Sequence, residues 1–226
     1  MKKTTKCGIC GYEFTYDDRL STNVFTTPNG VGAEYYYNLW HYFVACCPQC
    51  GYASKDISHT FHRKIVQDEK YQAIEEMELL QELYSARPNK IGDYLKASYY
   101  YESIGDTVNE FKCLLQASDL VFAEIIYWEE YIYDPVDSVS SIIGKTQIDE
   151  FRKFADNLFN SAISKMEEYV KNNPDDLDIQ ILLAGTLGDG DKIQMMKSVK
   201  LLNSIKSKNL TDQQKNAVQF LMNSMM

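Results

Sequence analysis

Four of the six cysteines in this chain fall into two C-x-x-C pairs, and a glycine directly follows each pair. Two thiolates three positions apart can bind one ion only if the backbone turns back beneath them. Glycine closes such a turn because it adopts positive φ at little cost. Two such turns supply four soft ligands, the closed tetrahedral set of a structural zinc site. The predicted metal ligands are Cys7, Cys10, Cys47 and Cys50.

Two other chemistries use the same kind of cysteine pair. A thioredoxin-like redox site needs one C-x-x-C at the start of a helix in a βαβ context, whereas here two pairs flank a β-prone segment. Iron is the closest rival metal, since thiolate spacing alone does not separate a four-cysteine iron site from a zinc site. The sequence therefore predicts one structural zinc ion, with iron as the alternative metal and thiol–redox activity as the least favoured reading.

The other two cysteines, Cys46 and Cys113, have simpler expected roles. The residues before Cys46 are aromatic and β-prone. Neighbours on a strand point to opposite faces, so Cys46 should face away from an ion that Cys47 binds. Cys113 lies in a helical pattern, and burial in a core is a common fate of a free cysteine.

The chain has three histidines, His41, His59 and His62. His59 and His62 stand one helical turn apart, but no carboxylate gives them the H-E-x-x-H spacing of a zinc protease. We expect both at a helix start or on the surface. His41 belongs to a predicted strand, where it is partly exposed or reaches the zinc site from outside the ligand set. The sequence assigns none of the three a definite role.

The elements around these residues predict a small β-rich head over residues 1–58 and a helical tail over residues 59–226. The head holds three strand candidates, "YEFTY", "TNVFTT" and residues 35–45. A core this small is marginal alone, so a metal should supply much of its stability. The predicted fold class is mainly α: tetratricopeptide-like helical hairpins preceded by a small β-rich, zinc-ribbon-like head.

Helical periodicity begins near His62, and the first predicted helix continues towards Pro88. Residues 133–147 contain a proline and a glycine and are predicted to form a connector. Tetratricopeptide registers start at residues 91 and 143, and an irregular helical bundle is the alternative. Capping boxes are predicted at two helix starts, with the residue pairs Thr107–Glu110 and Thr211–Gln214.

Charge and hydropathy narrow the classes of function. The 226 residues carry a formal net charge of −9, which argues against non-specific binding to phosphate backbones. Residues 1–60 hold five basic and five acidic side chains, so the head has no basic excess. The N-terminus lacks the apolar region of a signal peptide, and no run approaches the roughly 18 apolar residues of a membrane span. We therefore expect a soluble cytoplasmic protein. In the cytoplasm thiols stay reduced, which suits metal binding.

The stretch "CGICGYEF", the later "CPQCGYAS" and the helical hairpins together resemble an uncharacterised bacterial family, a domain of unknown function. The head of that family has C-x-x-C-G followed by C-P-x-C-G-Y-A, and its tail is tetratricopeptide-like. The second motif, Cys47 to Ala53, is the more specific part, and at Gly8 the first motif departs from the expected proline. The resemblance covers most of the chain and implies a zinc-ribbon-like head with no established activity.

The leading interpretation of function is a non-enzymatic scaffold or adaptor with a structural zinc site and a tail that binds a protein or peptide. The tail from residue 61 onward carries the whole net charge, which favours a basic or amphipathic partner. Two tyrosine clusters, Tyr99–Tyr101 and Tyr127, Tyr131 and Tyr133, are candidates for the binding face, and the alternative is that some of them pack between helices. A nucleic-acid-binding zinc ribbon is the second interpretation, and a thiol–redox protein is the third. No membrane association is expected, and the oligomeric state stays open.

Overall fold

The structure is a computed structural model that describes residues 2–17, 43–80, 91–127, 129 and 138–225. These residues belong to two compact units, the first ending at Ala162 and the second beginning at Ile163. The strands are β1 (Lys2–Lys6), β2 (Glu13–Asp17), β3 (Ala45–Cys46) and β4 (Ala53–Ser54). The α-helices are α1 (Glu69–Ala73), α2 (Ile91–Ser103), α3 (Thr107–Tyr127), α4 (Ser138–Asn172), α5 (Leu177–Gly188), α6 (Lys192–Lys206) and α7 (Asp212–Ser224).

The fold is mainly helical, with a small amount of antiparallel β-structure near the N-terminus, as the sequence predicts. β1 pairs with β2 and β3 pairs with β4, and a C-x-x-C pair lies in the turn of each hairpin. The predicted strand "YEFTY" is confirmed as β2, whereas β1 and β4 were not predicted. The candidate "TNVFTT" and most of residues 35–45 lie outside the described residues.

In the first unit, α2 and α3 form a helical hairpin whose turn contains Gly105 at φ +74°. Asp106 caps α3, because its carboxylate accepts a hydrogen bond from the backbone N–H of Asn109 at 3.1 Å. The predicted capping box with Thr107 as the cap is therefore wrong by one residue. The core of this unit includes the fully buried side chains of Phe111 and Phe151.

The predicted single helix from residue 65 onward is broken after one turn. Residues Ile65–Gln67 form a 3₁₀ helix, and Asp68 then takes an extended conformation. The Asp68 carboxylate accepts hydrogen bonds from the first N–H groups of α1, so a new helix starts there. A capping residue inside an apolar pattern can end one helix and begin another, which periodicity alone does not reveal.

Helix α4 contradicts two expectations. It is continuous over 35 residues, so the predicted connector at residues 133–147 is wrong from Ser138 onward. The second tetratricopeptide register, starting at residue 143, is also wrong, because it requires a hairpin where the chain forms one helix. A glycine inside a helix costs only about 1 kcal/mol relative to alanine, and Gly144 is accommodated in this long element.

The second unit is built around α5, which is buried along most of its length and packs on α6 and α7. The hydroxyl of Ser198 on α6 donates to the carbonyl of Ala184 on α5 at 2.5 Å. The predicted capping box of α7 is confirmed, with Thr211 as its cap, and Asp191 caps α6 in the same way. Among the helices that the structure describes, none is both long enough and apolar enough to span a membrane.

Candidate metal centre

The first C-x-x-C pair lies in a tight turn between β1 and β2, which we call knuckle 1 (residues 7–12). The N–H of Cys7 donates to the carbonyl of Tyr12 at 2.9 Å, and the N–H of Gly11 donates back to the carbonyl of Cys7 at 3.0 Å. Gly11 has φ +74°, a conformation that glycine adopts without the steric penalty of a Cβ. The predicted role of this glycine is confirmed.

The second pair lies in knuckle 2 (residues 47–52), between β3 and β4, and has the same backbone geometry. The N–H of Cys47 donates to the carbonyl of Tyr52 at 2.8 Å, and the N–H of Gly51 donates to the carbonyl of Cys47 at 2.9 Å. Gly51 has φ +71°. Two distant stretches of chain therefore fold into the same turn, and each turn places two thiols on one side.

The two knuckles bring their four sulfur atoms together, all within 4.8 Å of one another. The Cys7 and Cys50 sulfurs lie 3.7 Å apart, as do those of Cys10 and Cys47. A tetrahedral zinc site with Zn–S bonds of about 2.3 Å requires sulfur–sulfur separations of roughly 3.8 Å. A disulfide would require about 2.05 Å, and all four thiols are free. Within the described part of the chain, this is the one group of side chains arranged to hold a metal ion.

The thiols cannot all ionise without a cation, because four like charges would lie within a few ångströms of one another. Burial raises the pKa of Cys47 and of Cys50. Burial also acts against ionisation of Cys10, but the backbone N–H of Tyr12 and the neighbouring thiols lower the pKa of that residue. A bound divalent ion removes this conflict, since its charge deprotonates coordinating thiols. The donor set therefore fits a soft divalent metal.

The backbone N–H of an equivalent tyrosine acts on one cysteine in each knuckle. The N–H of Tyr12 lowers the pKa of Cys10, and the N–H of Tyr52 acts in the same direction on the pKa of Cys50. A nearby N–H group favours the thiolate, which is the form that binds a metal. The tyrosine two positions after each pair thus has the same function in both turns.

Tyr71, from α1, binds the backbone of knuckle 2 directly. Its hydroxyl donates to the carbonyl of Gly51 at 3.0 Å and accepts from the N–H of Ala53 at 2.9 Å. Tyr71 is buried, and burial raises the pKa of its phenol, so the hydroxyl stays protonated and keeps donating. The sequence alone does not predict this contact, since no spacing rule connects a helix tyrosine with a turn 20 positions away.

Helix α2 supports the segment after knuckle 2 with two consecutive tyrosines. The Tyr101 hydroxyl accepts from the N–H of Lys55 at 3.0 Å, and the Tyr100 hydroxyl accepts from the N–H of Phe61 at 3.1 Å. The Tyr100 ring also packs edge-on against Tyr52, with centroids 5.2 Å apart. Tyr100 and Tyr101 are buried, so they do not belong to a partner-binding face, and the alternative that some of these tyrosines pack inside the protein is confirmed for both.

A buried cation lies beside knuckle 2. Lys96 of α2 is buried, and its ammonium group forms an ion pair with Glu75. The same ammonium group lies 5.7 Å from the centroid of the Tyr71 ring, within the range of a cation–π interaction. A Cβ added at Gly51 would lie 3.2 Å from it. Lys96 therefore packs closely against both the turn and the tyrosine that holds it.

Gly8 explains why knuckle 1 departs from the expected proline. Its N–H donates to the carbonyl of Ile57 at 2.9 Å, a bond that proline cannot form. A Cβ at this position would lie 2.7 Å from the carbonyl oxygen of Ser58, which is closer than non-bonded atoms approach. Knuckle 1 therefore packs with its bare backbone against residues 57–59.

The remaining cysteines and histidines lie outside the sulfur cluster. Cys113 is fully buried in α3, as predicted. Cys46 points away from the cluster, and its thiol lies 3.5 Å from the carbonyl of Gly51; burial raises its pKa. The exposed imidazole of His59 contacts Asp56 at 3.0 Å. The His62 ring contacts the hydroxyl of Ser103 at 3.1 Å, and His41 lies outside the described residues.

Comparison of the chain with protein-family models, with curated proteins and with solved structures found no match. The resemblance to an uncharacterised bacterial family stays a prediction. The geometry of the chain itself, and above all of its four clustered thiols, is therefore what indicates a function.

Proposed function

We propose that the protein is a non-enzymatic scaffold in which one structural zinc ion, bound by Cys7, Cys10, Cys47 and Cys50, joins the two knuckles. The observation that carries this proposal is the sulfur geometry, with cross-knuckle pairs at 3.7 Å and all four sulfurs within 4.8 Å. Four thiolates complete a tetrahedral shell and leave no open position for substrate or water. A closed shell of this kind supports a structural role rather than a catalytic one.

Zinc is preferred over iron because the proposed role needs no electron transfer, and zinc has no redox chemistry. A cluster of free thiols also favours a reducing compartment, which supports a cytoplasmic location. When bound, the ion supplies a cross-link between residues 7–12 and 47–52. The chain itself supplies the two glycine turns and the N–H groups that orient the sulfurs.

The test is elemental analysis of the purified full chain and of two single variants. The native chain should hold one zinc per chain, and Cys47→Ser should lose it. Cys46→Ser is the matched control, because Cys46 is adjacent in sequence but its thiol points away from the cluster; this variant should keep the ion. Iron in place of zinc would identify a different metal but would leave the four-cysteine site intact. Native protein that takes up neither metal would reject the proposed metal site.

For the scaffold role, we propose that the helical part binds a protein segment of basic or amphipathic character. Support comes from the helical hairpins α2–α3 and α5–α6 and from the net charge of −9. Exposed helix faces commonly bind an amphipathic helix or an extended segment. Binding that weakens at high ionic strength would agree with an electrostatic contribution. Binding by the knuckles alone would contradict a binding site on the helical part.

Nucleic acid is a less suitable ligand for the β1–β2 hairpin. The register places Lys2 opposite Asp17 and Lys6 opposite Glu13, so two of its lysines face carboxylate residues across the strands. Four thiolates on a divalent ion add negative charge close by. A surface with this balance lacks the basic excess that binding to phosphates requires.

A further inference from the structure

Helix α6 exposes large apolar side chains to solvent. Ile193 is 69% exposed and Met196 is 56% exposed. Because these residues and Val199 are spaced three apart, they follow one side of the helix. The opposite side is buried in the second unit through Ser198, Leu202 and Ile205. We define the α6 face as the exposed residues Lys192, Ile193, Met195, Met196, Val199 and Lys200.

The charge of this helix is opposite to that of the chain. Helix α6 contains four lysines and no aspartate or glutamate, although the whole chain carries −9. Lys192 and Lys200 belong to the α6 face and are exposed. Lys197, at its edge, pairs with Glu167 at 2.8 Å. The exposed apolar residues are therefore flanked by positive charge.

We propose that the α6 face binds an acidic amphipathic helix of a partner protein. This inference rests on the proposed scaffold role and goes beyond it, because it assigns a second, acidic partner to a surface that is locally basic. Apolar residues of the partner would pack on Ile193, Met196 and Val199, while its carboxylates would meet Lys192 and Lys200. Methionine suits such a surface because its unbranched, polarisable side chain adapts to different apolar shapes. The local field at the contact, rather than the net charge of the chain, decides which partner charge is favoured.

Two other occupants fit the same face less well. In a two-fold dimer through α6, Lys192 and Lys200 of each copy would be brought towards lysines of the other, which is unfavourable. A membrane surface would attract these lysines only if its lipids were anionic. The face also lacks the aromatic residues that anchor interfacial helices.

The size of the face indicates a modest affinity. The fifteen residues of α6 make a helix about 22 Å long, which is enough to pack against one partner helix of similar length. Such a contact buries less surface than the roughly 1,200 Å² of a stable protein–protein interface. A single docked helix of this size agrees with micromolar binding that depends on a few central residues. Met196, in the middle of the face, is the first of these.

The experiment uses the full chain loaded with zinc and two synthetic helical peptides of the same leucine pattern, one with glutamate and one with lysine at the polar positions. Fluorescence anisotropy measures binding of each peptide at low and at high salt. The matched variants are Met196→Glu on the α6 face and Gln213→Glu on α7, which add the same charge at two exposed positions. Met196→Ala tests the apolar contact without adding charge.

We expect the acidic peptide to bind at a 1:1 ratio and more tightly at low salt. Met196→Glu should weaken binding at least tenfold, Met196→Ala several-fold, and Gln213→Glu less than twofold. Equal binding of both peptides, or binding unchanged in Met196→Glu, would overturn the proposal. So would self-association that Met196→Glu abolishes, or capture by phosphatidylserine vesicles without peptide binding. The zinc content of the same samples separates a failure of this inference from a failure of the metal site.

Discussion

Knuckle 1 and knuckle 2 have the same backbone hydrogen bonds, but tyrosines of α1 and α2 hold only knuckle 2. In knuckle 1, Cys10 and Tyr12 are exposed. In knuckle 2, Tyr52 is buried, and the Tyr71 hydroxyl bridges the turn. The difference shows that a short sequence motif can determine a turn while its surroundings determine how stable that turn is. Knuckle 2 should keep its shape without metal, and knuckle 1 should depend on the ion.

Metal removal should produce the largest difference between the two knuckles. A structural zinc ion contributes on the order of 10 kcal/mol to the folding of small sites, and an isolated two-stranded hairpin is marginal in water. We expect the amide of Gly11 to exchange with solvent at least a hundredfold faster after chelation. The amide of Gly51 should change less than tenfold. Hydrogen exchange on the loaded and chelated full chain measures both, and equal loss of protection would contradict the comparison.

Tyr71→Phe should give the next largest effect, a destabilisation of about 2 kcal/mol or more. The change leaves the carbonyl of Gly51 and the N–H of Ala53 without their buried partner, and each such loss costs about 1–3 kcal/mol. Tyr12→Phe is the matched control in knuckle 1. Because Tyr12 is exposed, Tyr12→Phe should change the free energy of unfolding by less than about 0.5 kcal/mol. Denaturant unfolding of the zinc-loaded chain measures the two free energies, and similar values would show that the tyrosines do not distinguish the knuckles.

Gly8→Ala should destabilise the contact between knuckle 1 and residues 57–59 by about 1–3 kcal/mol, the usual cost of overpacking. The new methyl group would lie 2.7 Å from a backbone oxygen that no side-chain rotation can move. Ile9→Ala serves as the control, because it changes the neighbouring side chain without adding an atom against that backbone. A stability loss confined to Ile9→Ala would indicate that the close approach at Gly8 is unimportant.

The smallest effects should come from the glycines at positive φ. Gly105→Ala gives the conformational cost alone, since its φ is +74° and, apart from its chain neighbours, no atom of the described residues lies within 4 Å of the added Cβ; we expect about 1 kcal/mol. Gly11→Ala should match it, because its nearest contact is a flexible lysine side chain at 3.6 Å. Gly51→Ala should cost more, since Lys96 lies 3.2 Å from the new Cβ. Thermal unfolding of the three variants gives this order, and an order with Gly51→Ala lowest would contradict it.

The sequence was most informative where the cause of a structure is local. Two C-x-x-C-G motifs predict their turns and the convergence of four thiols, because each turn is closed within six residues. Thr211 and Gln214 predict a capping box for the same reason. Alternation in "YEFTY" predicts β2 because one strand of a hairpin carries its own pattern.

The sequence was less informative where distant residues meet. Tyr71, Tyr100 and Tyr101 bind backbone groups 18 to 46 positions away, and any backbone can accept or donate such bonds, so no spacing rule identifies the partner. Gly8 was read as a departure from a motif, although its reason is the backbone packed against it. A proline and a glycine predict a connector over residues 133–147, whereas helix α4 already begins at Ser138, because a single glycine does not end a helix by itself.

The unequal exposure of the four ligands bears on how quickly the ion exchanges. Cys7 and Cys47 are buried, whereas Cys10 is exposed. A competing chelator or a metal-accepting protein would therefore reach a bound ion beside Cys10 first and replace that sulfur before the others detach. The departure rate of the metal should then rise with the concentration of the competitor rather than being set by the protein's own opening. One exposed sulfur would thus make a bound ion kinetically accessible, however tightly the four sulfurs hold it.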